Sequence, residues 1–389
     1  MERLHVPQGD LDLARYPVRR DEPLRAWDAA DELVLRHLAG TDGGAAVDLG
    51  GTVVVVNDAW GALAAALAPH AGTLVSVSDS YLAHRATRAN LDRNAVSAGV
   101  ELRTSFDDLP PVVDVLVIKV PTSLALLEDQ LRRLATCLHD GAVIVGAAMT
   151  RHLHTSTIDC FERVLGPTRT SLAQKKARLV LTARDEARPD PTGDPWTWPR
   201  TFTVDHAPVI NHAGVFSAER LDIGTRFFLE HLPPPATGAH VVDLGCGNGV
   251  VGATAARANP EAAVTFIDES FRAVRSAEAT WDAWAAIQPM APARFVAGHS
   301  LFDLAEEPAV EAGTVDLVLN NPPFHADHAV GDAIAWQMFH DARAALRPGG
   351  ELWVVGNRHL GYHTKLRRLF GSSELVASNA KFVVLRARR

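Results

Sequence analysis

The sequence predicts an α/β fold made of two tandem domains, each a mostly parallel, doubly wound sheet. Three observations carry this. Short runs of Val, Ile and Leu alternate with stretches rich in Ala, Leu and Arg along most of the chain. The alternation stops at DEARPDPTGDPWTWPR (185–200), a stretch full of Pro, Asp and Gly, and then begins again. The length of 389 residues is long for one domain and natural for two. The expected division is a first domain over 1–188, a linker over 189–200 and a second domain over 201–389.

In the first part, Thr52–Asn57 predicts a strand and Ala59–Ala68 a helix. Gly72–Ser78 predicts a second strand, followed by a helix through Arg85 and Leu91. Val112–Lys119 is a third strand, Leu124–Leu138 a helix and Ala142–Gly146 a fourth strand. The second part repeats the plan. Ala239–Leu244 is a strand and Gly249–Ala258 a helix, then Ala263–Asp268 a strand and Phe271–Trp284 a helix. Val315–Leu319 is a strand, Ala333–Leu346 a helix, and Glu351–Val355 and Lys381–Arg386 are further strands. The halves read as copies of one fold, of which only the second keeps certain features.

Composition narrows the class. Hydrophobic residues make up 47% and charged residues 22%, ordinary for a globular α/β protein. The three cysteines, Cys137, Cys160 and Cys246, form neither a disulfide framework nor a CxxC zinc pattern, which suits a reducing cytoplasm. MERLHVPQGDLDLARYPVRR has no apolar core, so no signal peptide is expected, and the apolar runs are strand-sized, so no membrane span is expected. A net charge of −8 argues against a surface coated in basic residues but leaves room for a local phosphate-binding patch. Lys175–Arg178, Lys365–Arg368 and Arg386–Arg389 are candidates, each also readable as plain solvated surface.

The first strand of the second part runs into VVDLGCGNGV (241–250). Gly245, Gly247 and Gly249 permit a tight strand-to-helix turn and close approach of a ligand to the backbone. The next strand ends in Asp268, at the edge where open α/β sheets bind ligands, and an acid there can accept hydrogen bonds from two ribose hydroxyls. A glycine loop with such an acid fits a dinucleotide or S-adenosylmethionine. The dinucleotide form is G-x-G-x-x-G; this loop is G-x-G-x-G after Asp-Leu, and it resembles the cofactor loop of class I S-adenosylmethionine-dependent methyltransferases. Cys246 inside the loop reads as a small buried filler rather than a nucleophile.

The strand Val315–Leu319 ends in NNPPFH (320–325). Each proline fixes φ and disfavours a helical residue before it, so the backbone after Asn321 is stiff and extended. Such stiffness suits methylation of an exocyclic amine on a nucleobase, whose lone pair is delocalised into the ring. Two acceptors, the Asn321 side-chain oxygen and the Pro322 carbonyl, can take its N–H bonds and aim the lone pair at the methyl group. Phe324 can stack on the base, worth about 1–3 kcal/mol.

N-P-P-[FY] resembles the catalytic motif of amino-methyltransferases. NPPFH, with "VFSAERLDIGTRFFLEHLP", "WQMFHDARAALRPGGELWVVGNRHLGYHTKLRRLFG", "VIKVPTSLALLEDQL" and "AQKKARLV", resembles the bacterial ribosomal RNA guanine-N2 methyltransferases built from two tandem methyltransferase-like domains. The first-half phrases and the "KFVVL" end look most like the members acting on 23S rRNA. Ala326 stands where Gln or Gly usually follows the motif, and Gly214 replaces an Asn; neither touches the proposed acceptors.

The resemblance implies two Rossmann-like class I domains, the N-terminal one degenerate. There, NDAWGALA replaces the glycine loop, with Asn57 and Asp58 where glycines should be, and Lys119-Val120-Pro121-Thr122 stands in place of NPPF. Asp79 reads as a relic of the ribose acid. This half is expected to support the active domain and grip RNA.

The expected catalytic residues are Asn321, Pro322 and Phe324. The expected cofactor residues are Asp243, Gly245, Gly247, Asn248, Gly249, Asp268, Ser300 and Asn321, with S-adenosylmethionine as cofactor. Ser300 enters because class I enzymes often contact the adenine after the third strand. Phe216–Arg226 reads either as a flap over the cofactor, with Arg226 touching it, or as a plain amphipathic helix. His325, His328 and His340 match no zinc spacing, so no metal is expected. The resemblance thus implies an enzyme that makes N2-methylguanosine in 23S rRNA, expected to be cytoplasmic and monomeric. The alternatives are a 16S rRNA guanine-N2 methyltransferase and a non-catalytic RNA chaperone or assembly factor that binds S-adenosylmethionine.

Overall fold

The computed structural model describes residues 2–18, 22–185, 198–302, 307–323 and 328–389. The chain forms two compact units, Met1–Thr197 and Trp198–Arg389. Most of the Asp185–Arg200 stretch expected as a linker lies outside the described residues.

The first unit opens with a hairpin, β1 (Glu2–Val6) and β2 (Gly9–Leu13), and a helix, α1 (Ala29–Leu38). Then come β3 (Thr52–Val56), α2 (Ala62–Leu67), β4 (Thr73–Ser78), α3 (Tyr81–Arg93) and β5 (Val100–Thr104). The unit finishes with β6 (Val113–Lys119), α4 (Leu124–Ala135), β7 (Leu138–Met149), α5 (Thr155–Val164), β8 (Thr168–Thr170) and β9 (Ala177–Thr182). Its main sheet has the order β5-β4-β3-β6-β7-β9-β8, and only β9 runs antiparallel to the others.

The second unit repeats this. A hairpin, β10 (Arg200–Val204) and β11 (Ala207–Asn211), precedes α6 (Ile223–Leu229). Then follow β12 (His240–Leu244), α7 (Val250–Ala258), β13 (Ala263–Asp268), α8 (Phe271–Ala285) and β14 (Ala293–Ala297). The rest is β15 (Val315–Asn320), α9 (His328–Ala345), β16 (Leu346–Asn357), α10 (Tyr362–Phe370), β17 (Glu374–Ser378) and β18 (Phe382–Arg388). The order β14-β13-β12-β15-β16-β18-β17 matches the first sheet strand for strand.

The central strands are apolar on both faces, as a sheet covered by helices on both sides requires. In β12, Val241 faces Phe266, Trp281 and Trp284, while Val242 and Leu244 face Phe339, Tyr362 and Leu366. In β3, Val53 and Val55 pack with Leu33 and Leu63, and Val54 and Val56 with Leu127 and Phe161.

Two expected boundaries differ in the same way. The helices expected to run to Leu138 and Leu346 end earlier, and those residues start β7 and β16. Leu346 pairs with Val315, then the register jumps so that Glu351 pairs with Leu317; Arg347-Pro348-Gly349-Gly350 bulges out between. Leu138 and Val143 do the same against Val113 and Val115.

Strand order turns back at β12, which has β13 on one side and β15 on the other. Doubly wound sheets bind ligands at such a reversal, beyond the carboxyl ends of the strands. In the second unit, the glycine loop and Asn321 both lie at those ends.

Candidate active site

The loop from β12 to α7 is held in a left-handed trace. Gly245, Gly247 and Gly249 have φ of 73°, 54° and 76°. A Cβ on Gly249 would lie 2.8 Å from the Ala277 Cα, so only glycine lets α7 start this close to α8. A Cβ on Gly247 would meet nothing within 4 Å, so the loop's backbone is open to a ligand there. Loop amides are tied back to β13: Gly245 and Cys246 donate to the Ile267 carbonyl at 2.9 and 3.0 Å.

Asp268 ends β13 beside this loop. Its carboxylate accepts from the Gly247 N–H at 2.9 Å and the Ser270 N–H at 3.0 Å. Burial raises its pKa, and those N–H groups partly offset the rise. The Glu269 N–H also stabilises the carboxylate. A carboxylate has about four acceptor sites, so capacity beyond these N–H groups remains for a hydroxyl.

The other expected cofactor residues support the loop. Asp243 is buried, and its carboxylate accepts from the Gly252 N–H at 2.8 Å. Burial, opposed by that bond and assisted by Asp268, pushes its pKa up to about 8. Asn248 donates to Asn211 Oδ1 at 2.9 Å, fastening the loop to the hairpin β10–β11. Ser300 donates to Asp341 Oδ2 at 2.6 Å, joining the segment after β14 to α9. Cys246 is a buried filler whose thiol pKa is pushed well up by burial.

β15 delivers the second half of the site. Asn320 faces Leu244 in the ladder, is fully buried, and donates to the Leu244 carbonyl at 2.7 Å. Asn321 is the next residue. Its Nδ2 donates to Thr225 Oγ1 at 3.0 Å, while its Oδ1 is buried with no hydrogen-bond partner among the described residues. Leaving such an acceptor unmet costs roughly 1–3 kcal/mol. Pro322 is buried and Pro323 exposed. Phe324, His325 and Ala326 lie outside the described residues. Among the expected residues, the structure therefore gathers Gly245, Gly247, Gly249, Asp268 and Asn321 at one sheet edge. Thr225, Asp222, Asn211 and Asp341 join them; none was named individually from the sequence, though Asp222 and Thr225 fall within the Phe216–Arg226 stretch. Arg226 is exposed, on a short helix whose Asp222 side chain caps Gly224 and Thr225.

Register places the first unit's counterparts. Val56 pairs with Ile118 as Leu244 pairs with Asn320, so Asn57 matches Gly245 and Lys119 matches Asn321. Asn57 and Gly61 keep the left-handed φ, at 62° and 79°. Ser78, not Asp79, matches Asp268. The polar groups here are mutually satisfied. Asp58 accepts from the Gly61, Ala62 and Ala64 N–H groups at 2.9, 3.2 and 2.9 Å. Asn57 pairs with Gln130 at 2.8 and 2.9 Å. Lys119 bonds Asp31 at 2.6 Å and Asp28 at 2.8 Å.

The candidate basic stretches are partly neutralised: Lys175 pairs with Glu32 at 2.7 Å, Arg386 with Glu351 at 3.4 Å, and Lys365 with Asp332. Among the described residues, no helix is long and apolar enough to cross a membrane, and no group of three or more His, Cys, Asp or Glu side chains could hold a metal ion.

The sheet order shared by both units, with the left-handed glycine loop and strand-end acid of the second, defines a Rossmann-like methyltransferase fold. Family models agree: residues 1–187 match the RLMG N-terminal domain and residues 206–386 the methyltransferase small domain. The ribosomal RNA large subunit methyltransferase G of Streptomyces coelicolor is 55% identical, the alignment covering 98% of this chain and 99% of the relative. That of Pseudomonas paraeruginosa is 47% identical, covering 98% of each. The chain belongs to the ribosomal RNA large subunit methyltransferase G family. A solved 16S rRNA N2 methyltransferase from T. thermophilus, in complex with AdoMet and guanosine, shares the fold with a TM-score of 0.72 at 22% identity, covering 100% of this chain and 97% of that one.

Proposed function

We propose that this chain methylates the exocyclic N2 amine of a guanine in 23S rRNA, with S-adenosylmethionine as methyl donor, and works as a cytoplasmic monomer. The observation that carries the reading is the buried, unpartnered Asn321 Oδ1 beside the open glycine loop. Family membership supports the substrate class, since the relatives are named for large-subunit ribosomal RNA.

The residues fit the cofactor. Gly245, Gly247 and Gly249 would let it lie against the backbone, and Asp268 would accept its ribose hydroxyls. When bound it supplies an electrophilic methyl group. The chain's own part is positioning. Asn321 Oδ1 and the Pro322 carbonyl accept the two N–H bonds of guanine N2, which favours a pyramidal nitrogen with its lone pair exposed. Phe324 stacks on the base. The surplus proton leaves the methylated nitrogen to water, so no strong general base is required. The base must leave its stack to reach this pocket, at a cost of roughly a few kcal/mol that stacking and RNA contacts offset. Asp243, Asn248 and Ser300 serve the cofactor by holding the loop and its surroundings. The first domain, whose counterpart site is filled by its own side chains, supports the second and grips RNA.

The test is incubation with labelled S-adenosylmethionine and, separately, deproteinised 23S and 16S rRNA lacking their N2-methylguanosines, with mass spectrometry of the digest. Label on guanine N2 of 23S rRNA is expected. Label on 16S rRNA alone would change the substrate, and no label on naked or assembled RNA would favour a non-catalytic clamp. Asp268→Ala is expected to weaken cofactor binding about ten- to a hundredfold, the worth of a charge-assisted hydrogen bond. Unchanged affinity by calorimetry would remove its ribose role.

A further inference from the structure

An asparagine amide has two chemically opposite ends. Rotated by half a turn, it offers two donors where it had offered an acceptor. Guanine N2 is itself a donor, so the wrong end of Asn321 would set N–H against N–H. Something must hold the amide the right way round before the base arrives.

Thr225 sits where that control is possible. It is 7% exposed, on α6, and its own N–H is held by the Asp222 carboxylate at 3.0 Å. Gly224 beside it is pressed close to Phe382, where an added Cβ would lie 3.0 Å from the ring. The threonine is thus fixed to the sheet, and its Oγ1 accepts from Asn321 Nδ2 at 3.0 Å. A threonine hydroxyl can donate as well as accept; here it accepts, and with Nδ2 engaged, Oδ1 is the end left over, buried and with no partner among the described residues.

The first unit uses the same tie for a different end. Asp31 stands three residues after the Asp28 cap, as Thr225 stands three after Asp222, and Lys119 matches Asn321. There the link is an ion pair of 2.6 Å, with Asp28 taking a further share of the ammonium. Both units join the third residue of this helix to the residue after the strand's last match. Only the second unit makes the link with a neutral amide, which can be held at one end and keep an acceptor at the other.

We propose that Thr225 is a positioning residue for methyl transfer, setting the orientation of the Asn321 amide so that Oδ1 meets guanine N2; this rests on the function proposed above. Thr225→Val keeps the shape and removes the acceptor, and Thr225→Ser restores it. The experiment measures single-turnover methylation with each variant, with Asn321→Ala and with wild type, on the rRNA form that wild type methylates. Cofactor affinity by calorimetry, RNA affinity and melting temperature accompany it.

Thr225→Val is expected to slow transfer on the order of tenfold, with both affinities within about twofold of wild type, the signature of an interaction used in the transition state. Thr225→Ser is expected to run near the wild-type rate. Wild-type turnover by Thr225→Val, equal impairment of Thr225→Ser, or a loss expressed wholly as weaker cofactor binding would each overturn the proposal. If those results come while Asn321→Ala is inactive, the alignment reading stands and only Thr225 loses its role. If Asn321→Ala turns over like wild type, or wild type methylates no rRNA, that reading fails and takes the proposal with it.

Discussion

Asn321→Ala is expected to lose methyl transfer by about a hundredfold or more, while cofactor affinity stays within about twofold of wild type. The reasoning starts from the orphan. A buried oxygen with no partner is a standing cost, and in Asn321 the other end of the same amide is well bonded, so the side chain is not simply misplaced. An acceptor held open in this way gains its bond only when a donor arrives. For an aromatic amine, that bond changes the nucleophile itself, because an N–H drawn out of the ring plane takes the lone pair out of conjugation. Alanine removes the acceptor and leaves the glycine loop and Asp268 untouched. The loss therefore belongs to the rate of transfer and not to binding of the cofactor. Calorimetry and single-turnover assays separate the two. Wild-type turnover by the variant would sink the alignment mechanism, and a matching loss of cofactor affinity would show that Asn321 acts mainly in its expected place among the cofactor residues.

The fold was legible because it is written in local pattern. Runs such as TVVVV and VDVLVIK are strands buried on both faces, and the two halves carry them at corresponding places. The glycine loop and Asn-Pro-Pro were legible for the same reason: a left-handed turn and a stiff strand exit each need particular residues side by side. What stayed hidden depends on distance along the chain. Thr225 meets Asn321 across 96 residues, and Asn211 meets Asn248 across 37. Neither threonine nor asparagine has a spacing that announces such a contact. The hairpin β1–β2 escaped because its burial rests on Leu4, Leu11 and Leu13, too few residues to establish a period. The edge strand β5, VELRT, does alternate apolar and polar residues, but over only five residues, too few to stand out from the mixed sequence around it. Asp79 was misplaced by one residue because the ladder register, not the end of the apolar run, decides which side chain faces the ribose position.

Lys119→Met is expected to destabilise the first unit by about 3–5 kcal/mol at pH 8, the cost of removing one member of a buried ion pair. The reason lies in the charge count around it. One ammonium faces Asp31 and Asp28, with Asp58 also near enough to act on Asp31. Burial works against the ammonium, yet Asp31 and Asp28 hold its pKa above the ordinary lysine value. Burial likewise works against Asp28, and Lys119 with the Ala30 and Asp31 N–H groups keeps its pKa low. Asp31 bears the remaining strain: burial, then the neighbouring carboxylates, push it up to about 6 even with Lys119 in place. Without the ammonium it must rise further. A carboxyl with a raised folded pKa binds more protons folded than unfolded between its two values, so the unfolding free energy falls as pH rises across that window. The stability that Lys119 lends to Asp28 is present above the unfolded carboxyl pKa, so its loss also weighs more at higher pH. The deficit of Lys119→Met is thus expected to be largest near pH 8 and to shrink toward pH 5 as Asp31 takes up a proton. Thermal melts of the variant and wild type at both pH values check this, with Lys119→Met/Asp31→Asn expected to recover much of the loss. An equal deficit at both pH values would show that packing of the lysine stem, not its charge, holds the site closed. That distinction bears on function, because a counterpart site locked by its own ion pair has neither an open acceptor nor an uncommitted cation to offer a ligand.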